Sequence, residues 1–242
     1  MNEKELLERI ELLEKQVHRN QRAADAVEIQ NLMSRYIFYL ENGNIAGVWD
    51  DLFTHERDDV KMEIMDAGGY IGAEHVKRAY YTMSGLVDLE GNPAPKRSPG
   101  MSNTNTDRAA LLLMLTISTP MIEVSEDGKE GWGQWHLFGP HSNRVFDPAS
   151  GNKKDTAFWI AGKYDNEFVK DSDGQWRFKS LRAINWLRTP YDKSWLECAD
   201  CRSTPSPYYP VDIPRRITSF NPDGGFDPDR WGPLPHEHIT HI

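Results

Sequence analysis

The chain has 242 residues, of which 38% are hydrophobic and 27% are charged, and its formal net charge is −9. This composition is ordinary for a globular protein that buries a sizeable core. The negative charge argues against nucleic-acid binding, which needs clustered Lys and Arg, and against docking on an anionic membrane. Because no apolar run has the length of a membrane span and the N-terminal sequence has no apolar signal region, we expect a cytoplasmic protein.

The N-terminal segment, residues 1–21, predicts a helix that is polar nearly all round. Four of its apolar residues recur at spacings of four, three and four: Leu6, Ile10, Leu13 and Val17. This spacing is typical of a coiled-coil seam about two heptads long. Such a seam packs against a neighbouring subunit or against the rest of the fold. The alternative is a solvated helix that merely extends the next one.

Further helices are predicted after this segment. Residues 22–41 have apolar side chains at helical spacing, and the helix ends at Asn42-Gly43-Asn44 because Gly and Asn commonly follow a helix end. Two shorter helices, 45–53 and 73–84, and an early hairpin of strands 60–65 and 70–72 around a turn at 67–69 come next. Residues 85–107 are rich in Pro, Gly, Asn, Ser and Thr, which predicts a long loop of the kind that covers a pocket.

Four strands complete the predicted fold: 111–124 with a break near Pro120, 132–138, 156–169 and 176–186. Turns are predicted around Asp127-Gly128 and Asp173-Gly174, and a polar loop at 140–154. Helices on one side of an antiparallel meander indicate the α+β class, with a curved sheet wrapped on a long helix as a cone-shaped barrel over residues 22–188. Residues 189–242 are Pro-rich but aromatic, so we expect an extended arm over the barrel or over a neighbour.

Three segments resemble SnoaL-like proteins of the nuclear transport factor two-like superfamily: Ile29 to Phe53, the hairpin from Pro120 to Trp135, and the hairpin from Asp173 to Phe178. The resemblance covers roughly residues 24–188 and lies in the order and spacing of the motifs. It implies the cone-shaped fold with a pocket. Within the superfamily the chain is similar to scytalone dehydratase and, in its length, to lyases that act on aromatic dimers.

The similarity to scytalone dehydratase implies particular site residues. Its acidic residue at the end of the first helix corresponds to Glu41, and its catalytic His in a Pro-His segment corresponds to His141. Its polar residue on the next strand corresponds to Tyr164. The second catalytic His of that family would fall near residues 114–116, where this chain has none, and His136 on the adjacent strand is the candidate substitute.

The histidines themselves indicate acid–base chemistry, because the unperturbed pKa of His lies near neutrality. His136 and His141 are five residues apart, which places them on opposite faces of a regular strand. We expect Pro140 to end that strand, so that both side chains reach the mouth of the cone. For each, the alternative is a structural or surface His.

Other polar and aromatic side chains are candidates for holding a substrate. Tyr36 and Tyr39 lie three residues apart on one helix face. We predict that Tyr39 is catalytic, as an acid besides His136, and that the Tyr36 phenol hydrogen-bonds a substrate oxygen, with core packing as the alternative. Four strand residues are further candidates for substrate binding, with solvent-facing, interface or core positions as the alternative: Lys61, Trp135, Arg182 and Asn185.

The C-terminal segment contains residues that could bind a metal. Cys198 and Cys201 form a C-x-x-C, and His236, His238 and His241 could complete a zinc site. The two groups are far apart in sequence, so we predict a reduced thiol pair and no metal. There is no phosphate-binding Gly-rich loop and no dinucleotide motif, so we also predict no cofactor.

These features predict a cofactor-independent lyase of the dehydratase kind, or an isomerase, which acts on a small aromatic or polyketide-like molecule. We expect a homo-oligomer, a dimer or a trimer. The alternatives are a non-catalytic small-ligand-binding protein with the same cone, or a structural β-subunit of a ring-hydroxylating dioxygenase. Ionisable side chains that converge inside the cone would favour the enzyme.

Overall fold

The computed structural model describes residues 2–64, 68–88, 92–93, 112–147 and 152–196. Its helices are α1 (Glu3–Glu41), α2 (Ile45–Gly47), a π-helix (Val48–Leu52) and α3 (Ala73–Ser84). Its strands are β1 (Lys61–Ile64), β2 (Gly68–Ile71), β3 (Leu112–Leu113), β4 (Thr116–Val124), β5 (Glu130–Asp147), β6 (Asn152–Lys170) and β7 (Trp176–Pro190). Most of the predicted loop 85–107 and of the predicted C-terminal arm lies outside the described residues. None of the described helices is both long and apolar enough to cross a membrane.

The two predicted N-terminal helical segments form one helix of 39 residues. It begins with a capping box, in which the Asn2 side chain accepts a hydrogen bond from the Glu5 amide and the Glu5 carboxylate accepts one from the Asn2 amide, both at 2.9 Å. Only the second half of the helix has buried residues: Asp25, Ile29, Leu32, Met33, Tyr36 and Ile37. This half packs on the sheet, whereas residues 2–24 are exposed.

The described strands form one seven-stranded sheet in the order β2-β1-β7-β6-β5-β3, with β4 also paired to β5. All pairs are antiparallel except β1 with β7, which is parallel. The sheet curls around α1 as a half-barrel, so the predicted α+β cone and its β4–β7 meander are confirmed. The parallel β1–β7 pair is an addition that the sequence pattern did not indicate.

The expected end of the strand at Pro140 is wrong. β5 continues to Asp147, and Pro140 is paired with Trp159 of β6. In an antiparallel ladder the N–H and C=O of one residue face the same neighbouring strand. The Pro140 carbonyl accepts from the Met114 amide at 3.2 Å, where β3 and β4 are interrupted. The side of Pro140 that lacks an N–H therefore faces the interruption between β3 and β4. A regular strand pair would need an N–H donor there, but this interruption does not.

Two local predictions also need correction. Gly68 and Gly69, expected in a turn, belong to β2 and pair with Ile64 and Glu63 of β1. The helix expected over 45–53 is a single α-turn followed by the π-helix. The expected break in the strand near Pro120 is confirmed as a register shift between Ser118 and Met121.

Gly139 is a point of close backbone approach on the concave face of the sheet. A Cβ atom at this position would lie 1.8 Å from the carbonyl oxygen of Met114. Since that atom belongs to the backbone, it cannot move away by a side-chain rotation. We expect Gly139→Ala to lower the free energy of unfolding by about 2 kcal/mol, measured by urea denaturation.

Gly131→Ala on the same strand face is the matched control. The nearest atom to a Cβ at Gly131 is the flexible tip of Ile29, at 2.7 Å, which can rotate. Equal destabilisation by the two substitutions would contradict the close approach of Met114.

Candidate active site

The alternation of β5 separates the two candidate histidines. Trp135 and Leu137 are buried and face α1, and His141 lies on the same face by the strand period of two. His136 and Phe138 lie on the opposite, convex face and are exposed. There the His136 Nδ1 lies 2.6 Å from the Thr119 hydroxyl, and its ring contacts Trp186 edge-on. Because the strand does not end at Pro140, only His141 points into the concave side.

Three side chains from adjacent strands meet at one end of the concave face. His141 of β5 is directly opposite Phe158 of β6, with the ring centroids 6.1 Å apart. The Arg188 guanidinium of β7 lies over the same ring, 4.5 Å from its centroid. We call His141, Phe158 and Arg188 the rim group.

Arg188 is a functional candidate that the sequence pattern did not indicate. Strict alternation would place it on the same face as Arg182, which lies on the convex side. Ala161 of β6 pairs with Leu187 and the next residue, Gly162, pairs with Asn185, so Trp186 is an extra, unpaired residue in β7. Beyond this bulge, the residues of β7 that would point to the convex face point to the concave face instead. As a result, Arg188 is paired with the core residue Ile160 and shares its face.

Burial and a nearby cation keep His141 neutral. Burial is the larger cause and Arg188 the smaller one, and together they lower the pKa of His141 to about 4. The Nδ1 atom of His141 is buried and has no hydrogen-bond partner in the described part of the chain. A neutral imidazole with an unsatisfied buried nitrogen can accept a proton or bind a polar group of a ligand.

The lowered pKa of His141 makes stability depend on pH in a defined window. The unfolded chain binds a proton at this residue near pH 6.5, but the folded chain binds it only near pH 4. The unfolded state therefore holds more protons between these values, and stability falls as the pH is lowered through them. We expect His141→Gln to reduce this loss, measured as the free energy of unfolding at several pH values. His136→Gln is the control, and an unchanged pH dependence in His141→Gln would contradict the assignment.

Three phenols are buried deeper in the core. The rings of Tyr36 and Tyr164 meet edge-on at 5.7 Å, and Tyr80 contacts Phe53 at 5.6 Å. Burial raises the pKa of all three phenols, so they stay protonated at physiological pH. Tyr80, which the sequence pattern did not single out, has a hydroxyl without a partner among the described residues. These neutral phenols can donate hydrogen bonds but are poor proton donors.

The phenols and the rim group are separate. Tyr164 is paired with Trp135, and His141 lies six residues further along β5. Six residues of extended strand span about 20 Å. The structure therefore does not bring Tyr36 and Tyr164 beside His141.

Two candidates near the end of α1, Glu41 and Tyr39, are also separate from the rim group. Glu41 is exposed on the surface. Tyr39 donates a hydrogen bond to Asp51 at 3.0 Å on an exposed part of the π-helix, and this bond is the main cause that raises the pKa of Tyr39. Neither side chain joins the rim group.

The other strand candidates have different surroundings. Trp135 donates from Nε1 to the Gln30 side chain at 2.8 Å, which fixes α1 to the sheet. Lys61 and Arg182 lie on the face opposite the core pair Met62 and Leu181. There Arg182 forms a fully buried ion pair with Glu63 across 3.5 Å.

Asn185 and the metal motif complete the candidates. The Asn185 backbone pairs with Gly162, and its side chain is outside the described part. The residues of the metal motif, Cys198 and Cys201 with the C-terminal histidines, also lie outside it. Among the described residues, no group of three His, Cys, Asp or Glu side chains could hold a metal ion.

Residues 21–182 match the family model of the SnoaL-like domain. No curated protein matches the chain. Solved structures with a similar fold include a proposed scytalone dehydratase from Novosphingobium aromaticivorans, which is 17% identical. The match covers 77% of this chain and 99% of that one, with a TM-score of 0.47.

Two further solved structures are similar at the same level. The hexachlorocyclohexane dehydrochlorinase LinA-type3 from Novosphingobium barchaimii is 16% identical, over 73% of this chain and 96% of that one, with a TM-score of 0.46. A nuclear transport factor 2-like superfamily protein from Salmonella enterica is 15% identical. The match covers 71% of this chain and 98% of that one, with a TM-score of 0.42.

Proposed function

We propose that this chain, which belongs to the SnoaL-like domain family, is a cofactor-independent lyase or isomerase in which His141 is the general base. The observation that carries the proposal is the rim group on the concave face, where a neutral His and an Arg flank one aromatic ring. The substrate is a small molecule with an acidic C–H beside a carbonyl or quinone-like oxygen. The Phe158 ring favours a flat, aromatic framework.

The first step is removal of the carbon-bound proton. The imidazole of His141 is neutral above its pKa of about 4, so the base form is present throughout the neutral range. The proton moves to an imidazole nitrogen, and the electron pair of the C–H bond passes onto the substrate oxygen. This produces an enolate and an imidazolium.

Arg188 is the group proposed to stabilise the enolate. A guanidinium cannot be deprotonated in a protein, so it offers fixed N–H donors and a positive charge to a developing oxyanion. Its position over Phe158 places that charge on the concave face, close enough to His141 to lower the pKa of the imidazole.

The second step returns the proton and decides the reaction class. An imidazolium with a pKa of about 4 is a stronger acid than an ordinary imidazolium, so His141 gives the proton back readily. If a β-hydroxyl takes it, the C–O bond breaks and water leaves, which is dehydration. If a different carbon takes it, the product is an isomer.

Hydrogen exchange with solvent tests the proposal with simple model compounds in place of the natural substrate. Aromatic ketones with an α C–H are incubated with the protein in D₂O, and deuterium incorporation is followed by NMR. We expect catalysed exchange at the α carbon, and loss of water when a β-hydroxyl is present. Matched ketones without an α C–H are the control for binding. Compounds that bind but never exchange would assign a non-catalytic binding protein instead.

A further inference from the structure

The first half of α1 has no role in the concave site. Residues 2–24 are exposed, and the family match begins only at residue 21. Four apolar side chains on this segment are 42–64% exposed: Leu6, Ile10, Leu13 and Val17. A single helix with such side chains in water is marginal, because most helix stability in proteins comes from packing of an apolar face. Packing of this apolar face against a partner would therefore stabilise the segment.

The pattern of the four apolar residues specifies the kind of partner. When Ile10 is placed at heptad position a, Val17 also falls at a, and Leu6 and Leu13 fall at d. β-Branched residues at a combined with Leu at d favour two parallel strands over three or four. The partner that fits this pattern is a second copy of the same segment.

The flanking charges agree with the parallel arrangement. In the same register Arg9 is at position g and Glu14 at position e. In a parallel dimer a g residue faces the e residue five positions later on the other helix, so Arg9 of each copy faces Glu14 of the other. In an antiparallel dimer centred on Ile10 and Leu13, Arg9 faces Gln16 and Glu14 faces Leu7, so no charge pair forms.

We propose that residues 3–24 of two copies form a parallel, in-register, two-stranded coiled coil that makes the protein a dimer. The coil is about 33 Å long at the rise of an α-helix. The two barrels then extend from the same end of the coil.

Disulfide trapping tests the register directly. The full chain, with Cys198→Ser and Cys201→Ser, receives Leu13→Cys at the predicted d position or Leu12→Cys at the outward c position. Both leucines are exposed to a similar extent in the single chain, 51% and 57%. After mild oxidation, we expect a disulfide dimer from Leu13→Cys and little from Leu12→Cys. Equal trapping at both positions, or no trapping at Leu13→Cys, would overturn the proposal. Because both cysteines are on the N-terminal helix, the difference between them reports on the helix contact and not on any contact between the barrels.

A charge exchange tests the parallel orientation. Arg9→Glu alone places two like-charged pairs across the coil, and we expect it to raise the dimer dissociation constant about tenfold, measured by sedimentation equilibrium. Glu14→Arg alone should act in the same direction. The double variant Arg9→Glu with Glu14→Arg restores opposite charges and should recover wild-type dimerisation. If the double variant is as weak as the two single variants, or if wild type is a monomer at all concentrations tested, the parallel coil is wrong.

Discussion

Replacement of His141 with Gln should lower kcat/KM by about 10²–10⁴-fold and leave the fold intact, because this range is typical for the loss of a general base. Gln keeps a polar side chain of similar size but cannot take a proton. The Nδ1 atom of His141 makes no hydrogen bond in the described part of the chain, so the substitution breaks no existing bond at that atom. Turnover or α-carbon exchange in D₂O measures the rate, and circular dichroism confirms the fold.

The pH profile of the wild type provides a second measurement of the same residue. A base with a pKa of about 4 in the folded protein should lose activity only as the pH falls through that value. His136→Gln is the matched control, since His136 lies on the convex face beside Thr119. Full activity in His141→Gln, or an equal loss in His136→Gln, would show that the rim group is not the catalytic centre.

Asp25→Ala should lower the free energy of unfolding by about 3 kcal/mol, because it removes one partner of a buried ion pair. Asp25 is fully buried on α1, and its carboxylate accepts from Lys170 at 2.5 Å and from the Trp176 indole at 3.0 Å. These contacts join the helix to β6 and β7 at one end of the half-barrel. Without the carboxylate, the indole N–H and the part-buried ammonium lose their acceptor.

The Asp25 carboxylate also makes the free energy of unfolding depend on pH in the acid range. Burial by itself would raise the pKa of Asp25, but the bonds from Lys170 and Trp176 outweigh it and lower the pKa. Stability from this group is therefore present at neutral pH and is lost as the pH falls through the lowered value. Urea denaturation of Asp25→Ala and Asp59→Ala tests the claim. Asp59 pairs with Arg57 at the surface, where its side chain is 52% exposed. Equal effects of the two substitutions would contradict the role of Asp25.

Much of the fold is predictable from local patterns. α3 begins and ends where the sequence predicts, and the predicted glycine turns are confirmed by positive φ angles of 68° at Gly128 and 79° at Gly174. The apolar spacing in residues 22–41 correctly predicts a helix with one buried face, which includes Ile29, Leu32 and Tyr36. Helical periodicity and turn chemistry depend on neighbours within a few residues, so the sequence displays them directly.

The candidate site is only partly predictable. The Pro-His segment indicates His141, and the position of this residue on the concave face follows from the unbroken strand. Arg188 cannot be found by alternation, because the extra residue at Trp186 reverses the faces of β7 beyond it. A bulge is set by the pairing of two strands, so a pattern read along one strand does not reveal it.

The sequence by itself determined α1, α3 and the order of the strands along the chain. Each of these depends on periodicity that a single segment carries. The tertiary structure decided the length of β5, the parallel pairing of β1 with β7 and the face to which each polar side chain points. These features depend on contacts between segments that are far apart in the chain. The register between strands therefore placed His141 and Arg188 on the concave face and His136 on the convex face.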